Sequence, residues 1–197
     1  NASYGACNWL IPVKANKTLC VACELNRTIP NLDEPTNVAL WRRMEMARHR
    51  LIYGLLRLKL PVASLTADPE NGMAFDTLEG PELDRASLPP VTTGHENGII
   101  TINLAEADDA LREKTRKDMA EKYRTLLGHF RHEIGHYYWD RLFVNNQSRL
   151  DSYRALFGDE REDYSESMKR HYENPRQDWQ QDFVSQYASM HSWEDWA

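Results

Sequence analysis

The stretch His132-Glu133-Ile134-Gly135-His136 narrows what this chain can fold into more than any other. Two histidines four positions apart lie about 40° apart around an α-helix and about 6 Å along it, so both imidazoles can reach one cation. Glu133 occupies the neighbouring azimuth, near enough to reach a water on that cation without being a ligand. The spacing works only on a helix, and the flanks supply one. Tyr123, Leu126, Leu127, Phe130, Ile134, Tyr137 and Tyr138 recur at intervals of three and four, a core-facing stripe. His129 shares the face of His132 and His136, and stands as a supporting residue, an alternative ligand or a helix-surface histidine. Two ordinary histidines beside a solvated glutamate are the plainer reading, and the buried setting weighs against it.

The pattern H-E-x-x-H points to zinc-dependent hydrolysis, with Glu133 as the general base that takes a proton from the attacking water. Such a zinc needs a third protein ligand and one open position. In the glutamate-ligand class that ligand comes from a helix downstream. Glu194 is the choice here, with Asp195 and Asp182 as alternatives. Asp140, four residues after His136, is placed to orient a histidine. Tyr187, His171 and Tyr172 are candidate donors to a developing oxyanion, each with a plain structural role as its rival.

A chain of 197 residues suits one domain, or one domain with a small appendage. Its formal net charge of −6 argues against nucleic-acid binding through bulk charge. No run of eighteen apolar residues occurs, which argues against a transmembrane helix and a membrane partner, and the first five residues do not read as a signal peptide. The expectation is a cytoplasmic protein. Three cysteines, an odd number, agree with a reducing compartment. The absence of an initiator methionine points to processing or an incomplete chain.

Residues 1–34 are loop-rich and hold Cys7, Cys20 and Cys23, the last two in a C-x-x-C knuckle that suits zinc. A closed site wants four ligands, and the fourth must come from upstream of Asn1 or from elsewhere in the chain. Idle buried thiols are the rival reading. From Thr36 or Asn37, apolar residues from Leu40 to Leu58 run at helical spacing until Pro61. Arg42, Arg43, Arg48, His49 and Arg50 read as the solvated outer face of that helix.

Residues 62–98 alternate short apolar pieces such as Met73-Ala74-Phe75 with breaks such as Leu88-Pro89-Pro90, a pattern of strands and loops. Ile100, Ile102 and Leu104 alternate with Thr101 and Asn103, a half-buried strand. As an edge strand it could pair with an extended peptide, although an ordinary sheet strand fits the pattern equally. Residues 106–120 suggest an exposed polar helix with a break after it. Asp178 is expected to start a helix through Met190, and Ser192 a second one with Asp195 in its capping box. The fold class is α+β, mainly helical, with a small antiparallel or mixed sheet.

Four segments carry a resemblance: Cys7-Asn8-Trp9-Leu10, Leu25 to Pro30, Gly128 to Leu142 (GHFRHEIGHYYWDRL) and Asp182 to Ala197. They resemble the bacterial zinc-binding metallopeptidase family that carries an N-terminal zinc ribbon. The resemblance implies a zincin-like core over residues 35–197, cut short at the C-terminus, behind a partial zinc-ribbon segment at 1–34. It implies His132 and His136 as zinc ligands, Glu133 as base and a downstream glutamate as third ligand. The family's ribbon begins with cysteines upstream of Asn1, and its chain continues past Ala197. The cofactors implied are one catalytic Zn2+ and a second, structural one where the ribbon is complete, and the partner is a peptide or protein substrate. The rival from another class is a non-catalytic, zinc-stabilised interaction module.

Overall fold

The computed structural model describes residues 1–80, 93–118 and 124–197. Leu88-Pro89-Pro90 and Tyr123 lie outside them. The chain is α+β and about half helical. It divides into two compact units, Asn1–Glu133 and Ile134–Ala197, with the division falling inside one continuous helix.

Among the described residues the first unit is built on a four-stranded sheet of order β1-β2-β4-β3, from β1 (Asn26–Thr28), β2 (Ala74–Leu78), β3 (Gly94–Glu96) and β4 (Ile99–Asn103). β1 and β4 flank β2 in parallel, and β3 runs antiparallel to β4. The alternation in β4 holds: Ile100 and Ile102 are buried and their neighbours only half so. Its reading as an edge strand does not, because β2 and β3 take up its backbone groups on both sides. β3 stands at the end of the sheet instead. The β3–β4 turn is Asn97-Gly98, both at positive φ (49° and 80°), as a two-residue hairpin requires. A side chain at Gly98 would also meet the Gly72 carbonyl oxygen at 2.5 Å.

Helix α1 (Pro35–Arg57) buries Trp41, Met44, Leu51, Ile52 and Leu55. Pro35 occupies its first turn, where a missing N–H costs nothing. Two of its basic residues are not on a solvated face. Arg48 is 1% exposed and His49 7%. Arg48 makes a two-pronged bond to buried Glu45 (2.9 and 2.6 Å) and donates to the Ala22 carbonyl at 2.6 Å. Glu45 also accepts from the side chains of Asn1 and Asn26. The charges of α1 thus hold the cysteine-bearing N-terminal segment, where sequence spacing suggested only solvation.

Helix α2 (Asp109–Asp118) follows a 3-10 turn at Leu104–Ala107. Helix α3 (Leu126–Phe143) carries the H-E-x-x-H pattern, and its apolar stripe is buried at Leu126, Phe130, Ile134, Tyr137 and Tyr138. Phe130 meets Phe75 of β2 edge-on at 5.8 Å, which seats the start of α3 on the sheet.

The second unit adds α4 (Gln147–Phe157), α5 (Tyr164–Glu173) and α6 (Ser192–Trp196) around Trp139, Phe143 and Tyr153. The first two are capped at their starts: the Asn146 side chain accepts from the Arg149 N–H, and Asp163 from that of Glu166. No helix runs from Asp178 to Met190. Arg176 ties down Asp178 (2.8 Å) and Asp182 (2.6 Å), and only 3-10 turns form, at Trp179–Gln181 and Ala188–Met190. Val184, within that segment, is 87% exposed. Among the described residues no helix is long and apolar enough to cross a membrane.

Candidate metal centres

α3 places His132 and His136 one turn apart, both partly exposed, with Glu133 buried between them. The third group arrives on α6. Its approach depends on Gly135, because a Cβ there would lie 2.9 Å from the Ala197 Cα, and the Trp196 indole N–H donates to the Gly135 carbonyl at 2.8 Å. The glycine inside the pattern is therefore the contact point that lets α6 reach α3. From that position the Glu194 carboxylate, 3% exposed, brings Oε1 to 3.7 Å from His136 Nε2. One ligand atom from each of His132, His136 and Glu194 lies within 4.8 Å of the others.

Two imidazoles and a carboxylate form a three-ligand set, the kind that leaves a fourth position on zinc for water. Around Glu194, the Tyr164 hydroxyl donates to Oε1 at 2.9 Å. Burial, then the Glu194 charge and Tyr164, push the Tyr187 phenol far above its usual range, so it stays protonated.

The second group forms where sequence spacing showed only three ligands. Cys7, Cys20 and Cys23 converge with His49 of α1, all four ligand atoms within 4.8 Å. A tetrahedral zinc holding sulfur at about 2.3 Å and nitrogen at about 2.0–2.1 Å sets its ligand atoms about 3.5–3.8 Å apart. The Cys7 and Cys20 sulfurs are 3.7 Å apart, and His49 Nε2 is 3.8 and 3.7 Å from those of Cys20 and Cys23. The cluster fits zinc.

The surroundings are also those of thiolates. Each sulfur receives one N–H: Trp9 to Cys7 (3.4 Å), Cys23 to Cys20 (3.4 Å) and the Asn1 side chain to Cys23 (3.1 Å). His49 Nδ1 lies 2.7 Å from the Glu45 carbonyl oxygen and must donate to it, leaving the Nε2 lone pair toward the sulfurs. Burial lowers the His49 pKa and so keeps the ring neutral. Burial and the neighbouring Cys20 and Cys7 raise the Cys23 thiol far above its usual range. A cation is what would draw those protons off. His49 lies 26 residues beyond Cys23, and the sequence signal that could have found it is its place beside Arg48 on the inner face of α1.

The remaining candidates separate. His129 sits 3.3 Å from Glu106, which also takes a 3.0 Å bond from Arg124, so it braces the start of α3. Asp140 is exposed, one turn beyond His136. His171 packs edge-on against Tyr187 at 5.9 Å, while Tyr172 is 61% exposed. Asp182 is held by Arg176, and Asp195 is half-buried beside Glu194 in α6. α6 is capped by the His191 side chain rather than by Ser192.

A family model described as "Putative zinc-binding metallo-peptidase" matches residues 37–197, and a zinc-ribbon domain model matches residues 1–34. Similar proteins include uncharacterized proteins of Mycobacterium bovis and of two Mycobacterium tuberculosis strains, each 46% identical over the whole of this chain. The chain spans about half the length of these curated relatives, 56% in each case. No solved structure matches.

Proposed function

This chain belongs to the family of zinc-binding metallo-peptidases, and from that premise we propose that it hydrolyses peptide bonds at His132, His136 and Glu194, on a zincin-like core. The convergence of those three ligand-bearing side chains, with buried Glu133 beside them on α3, carries the reading. Zinc bound there would polarise the scissile carbonyl and acidify a water. His132 and His136 supply neutral imidazole nitrogens from one rigid turn, and Glu194 adds a charge that offsets part of the cation's. Glu133 takes the proton of the attacking water and returns it to the leaving amine, as a carboxylate within reach of both can. Tyr187 is the hydroxyl donor assigned to the oxyanion, with His171 packed edge-on against it.

The Cys7, Cys20, Cys23 and His49 cluster has the opposite character. It is a closed four-ligand set, and zinc in it fastens the N-terminal segment to α1 rather than taking part in hydrolysis.

Glu133→Gln tests the hydrolytic reading. Zinc content should stay that of the parent, while peptide cleavage falls by about 10²–10⁴, the contribution of general acid–base catalysis. Cleavage that survives the substitution would remove Glu133 from the mechanism.

A further inference from the structure

His132 and His136 ride one helix, α3, whereas Glu194 comes from a separate element, α6. Two contacts fix the start of α6, and both come from the entry to α5. His191 Nδ1 accepts the Trp193 N–H at 3.1 Å, so Nε2 carries the ring proton and donates it to the Glu162 carbonyl at 3.1 Å. Two residues on, Tyr164 opens α5, and its hydroxyl donates to Glu194 Oε1 at 2.9 Å. The Tyr164 ring is itself set by edge-on contact with His191, centroids 5.4 Å apart, and by Trp193 at 6.2 Å. Oε1 is the oxygen that stands 3.7 Å from His136 Nε2. The phenol therefore selects the carboxylate orientation that completes the ligand set.

We propose that Tyr164 is the positioning residue for Glu194, holding Oε1 where it can ligate the metal of the site above, on whose assignment this inference rests. It acts through Glu194. Removing such a partner of a metal ligand lowers metal affinity by about 10- to 100-fold.

Tyr164→Phe keeps the packed ring and removes only the hydroxyl. Zinc affinity is read by competition with a chelator, with Co2+ substitution reporting each site separately, since only the cysteine cluster gives thiolate charge-transfer absorption. The expected result is a 10- to 100-fold weaker affinity at the His132 and His136 site, an altered Co2+ ligand-field spectrum there, and an unchanged thiolate band. In a Glu194→Gln background the same substitution should have no further effect, because the two residues act as one unit. Tyr164→His, which can donate from its ring, provides a second variant and should bind zinc more tightly than Tyr164→Phe.

Unchanged affinity in Tyr164→Phe overturns the role, as does an equal loss with Glu194→Gln already in place. If Tyr164→Phe does not fold, Tyr164→Leu, which also lacks the hydroxyl, takes its place: weaker affinity than Tyr164→His at the His132 and His136 site supports the role, and affinity equal to the parent ends it. Zinc that is lost with His132→Ala but indifferent to Tyr164 overturns this proposal alone. Absence of any zinc sensitive to His132→Ala overturns the metal site and the proposal together.

Discussion

The cluster at Cys7, Cys20, Cys23 and His49 offers a cation four ligands, three of them sulfur, while that at His132, His136 and Glu194 offers three and no sulfur. The first is closed by Trp9, whose ring stands edge-on to His49 at 5.1 Å, and three of its ligands are buried. The second has two partly exposed histidines and a buried carboxylate. A closed, thiolate-rich site suits a structural zinc, and an open three-ligand site a catalytic one. The difference also lies in what holds the ligands. Main-chain and amide N–H groups fix the sulfurs, whereas Glu194 depends on a close helix approach at Gly135 and on the Tyr164 hydroxyl.

That contrast can be pressed hardest at His49. His49→Ala opens the closed site, and one zinc per chain should be lost together with stability on the order of several kcal/mol, part of the about 10–16 kcal/mol that zinc binding supplies in zinc-finger peptides. Thermal melts and metal analysis check this. A variant that melts like the parent and keeps its zinc would make His49 a bystander.

Acid probes the brace that belongs to α3 alone. Burial by itself would raise the Glu106 pKa, but His129 and Arg124 bring it down from 4.5 to about 2. A carboxylate depressed in the folded state contributes stability that is present above pH 4.5 and lost as pH falls toward 2. In zinc-free protein, denaturant titrations should therefore show a loss approaching about 3 kcal/mol over that window, absent in Glu106→Gln. A parent whose acid profile matches that variant would show the brace to be idle.

The smallest expected effect is at Gly135. Gly135→Ala forces α6 off α3 and should cost about 1–3 kcal/mol, the usual range for overpacking. Its diagnostic feature is selectivity: zinc affinity at His132 and His136 should weaken while the cysteine cluster is untouched. Equal weakening at both would show a general loss of structure instead.

Much of this was legible in the residues and some was not, for physical reasons. The α3 stripe and the β4 alternation are local periodicities, and they folded as spacing dictates. The family resemblance, resting on Cys7-Asn8-Trp9-Leu10, Leu25 to Pro30, GHFRHEIGHYYWDRL and Asp182 to Ala197, agrees with both matching models. Position within the sheet is not local, and so the spacing left β4 open between an edge and an ordinary sheet strand, and the pairing with β2 and β3 selects the second. The Asn97-Gly98 hairpin and the caps at Asn146 and Asp163 are local signals present in the sequence. Asp178 to Met190 had helical spacing, but Arg176 pairs with Asp178 and Asp182 and the segment stays in turns. His49 and Arg48 were hidden because buried charge reads as solvated charge until its partners, Glu45 and the cysteines, are known.

Two zincs of different kinds on one chain are tested most directly by zinc content, measured by mass spectrometry. The parent should carry about two zincs per chain, about one after His132→Ala with His136→Ala, and about one after Cys20→Ser with Cys23→Ser. Zinc unchanged by the histidine pair and lost only with the cysteines would contradict the account, leaving a zinc-stabilised interaction module in place of a peptidase.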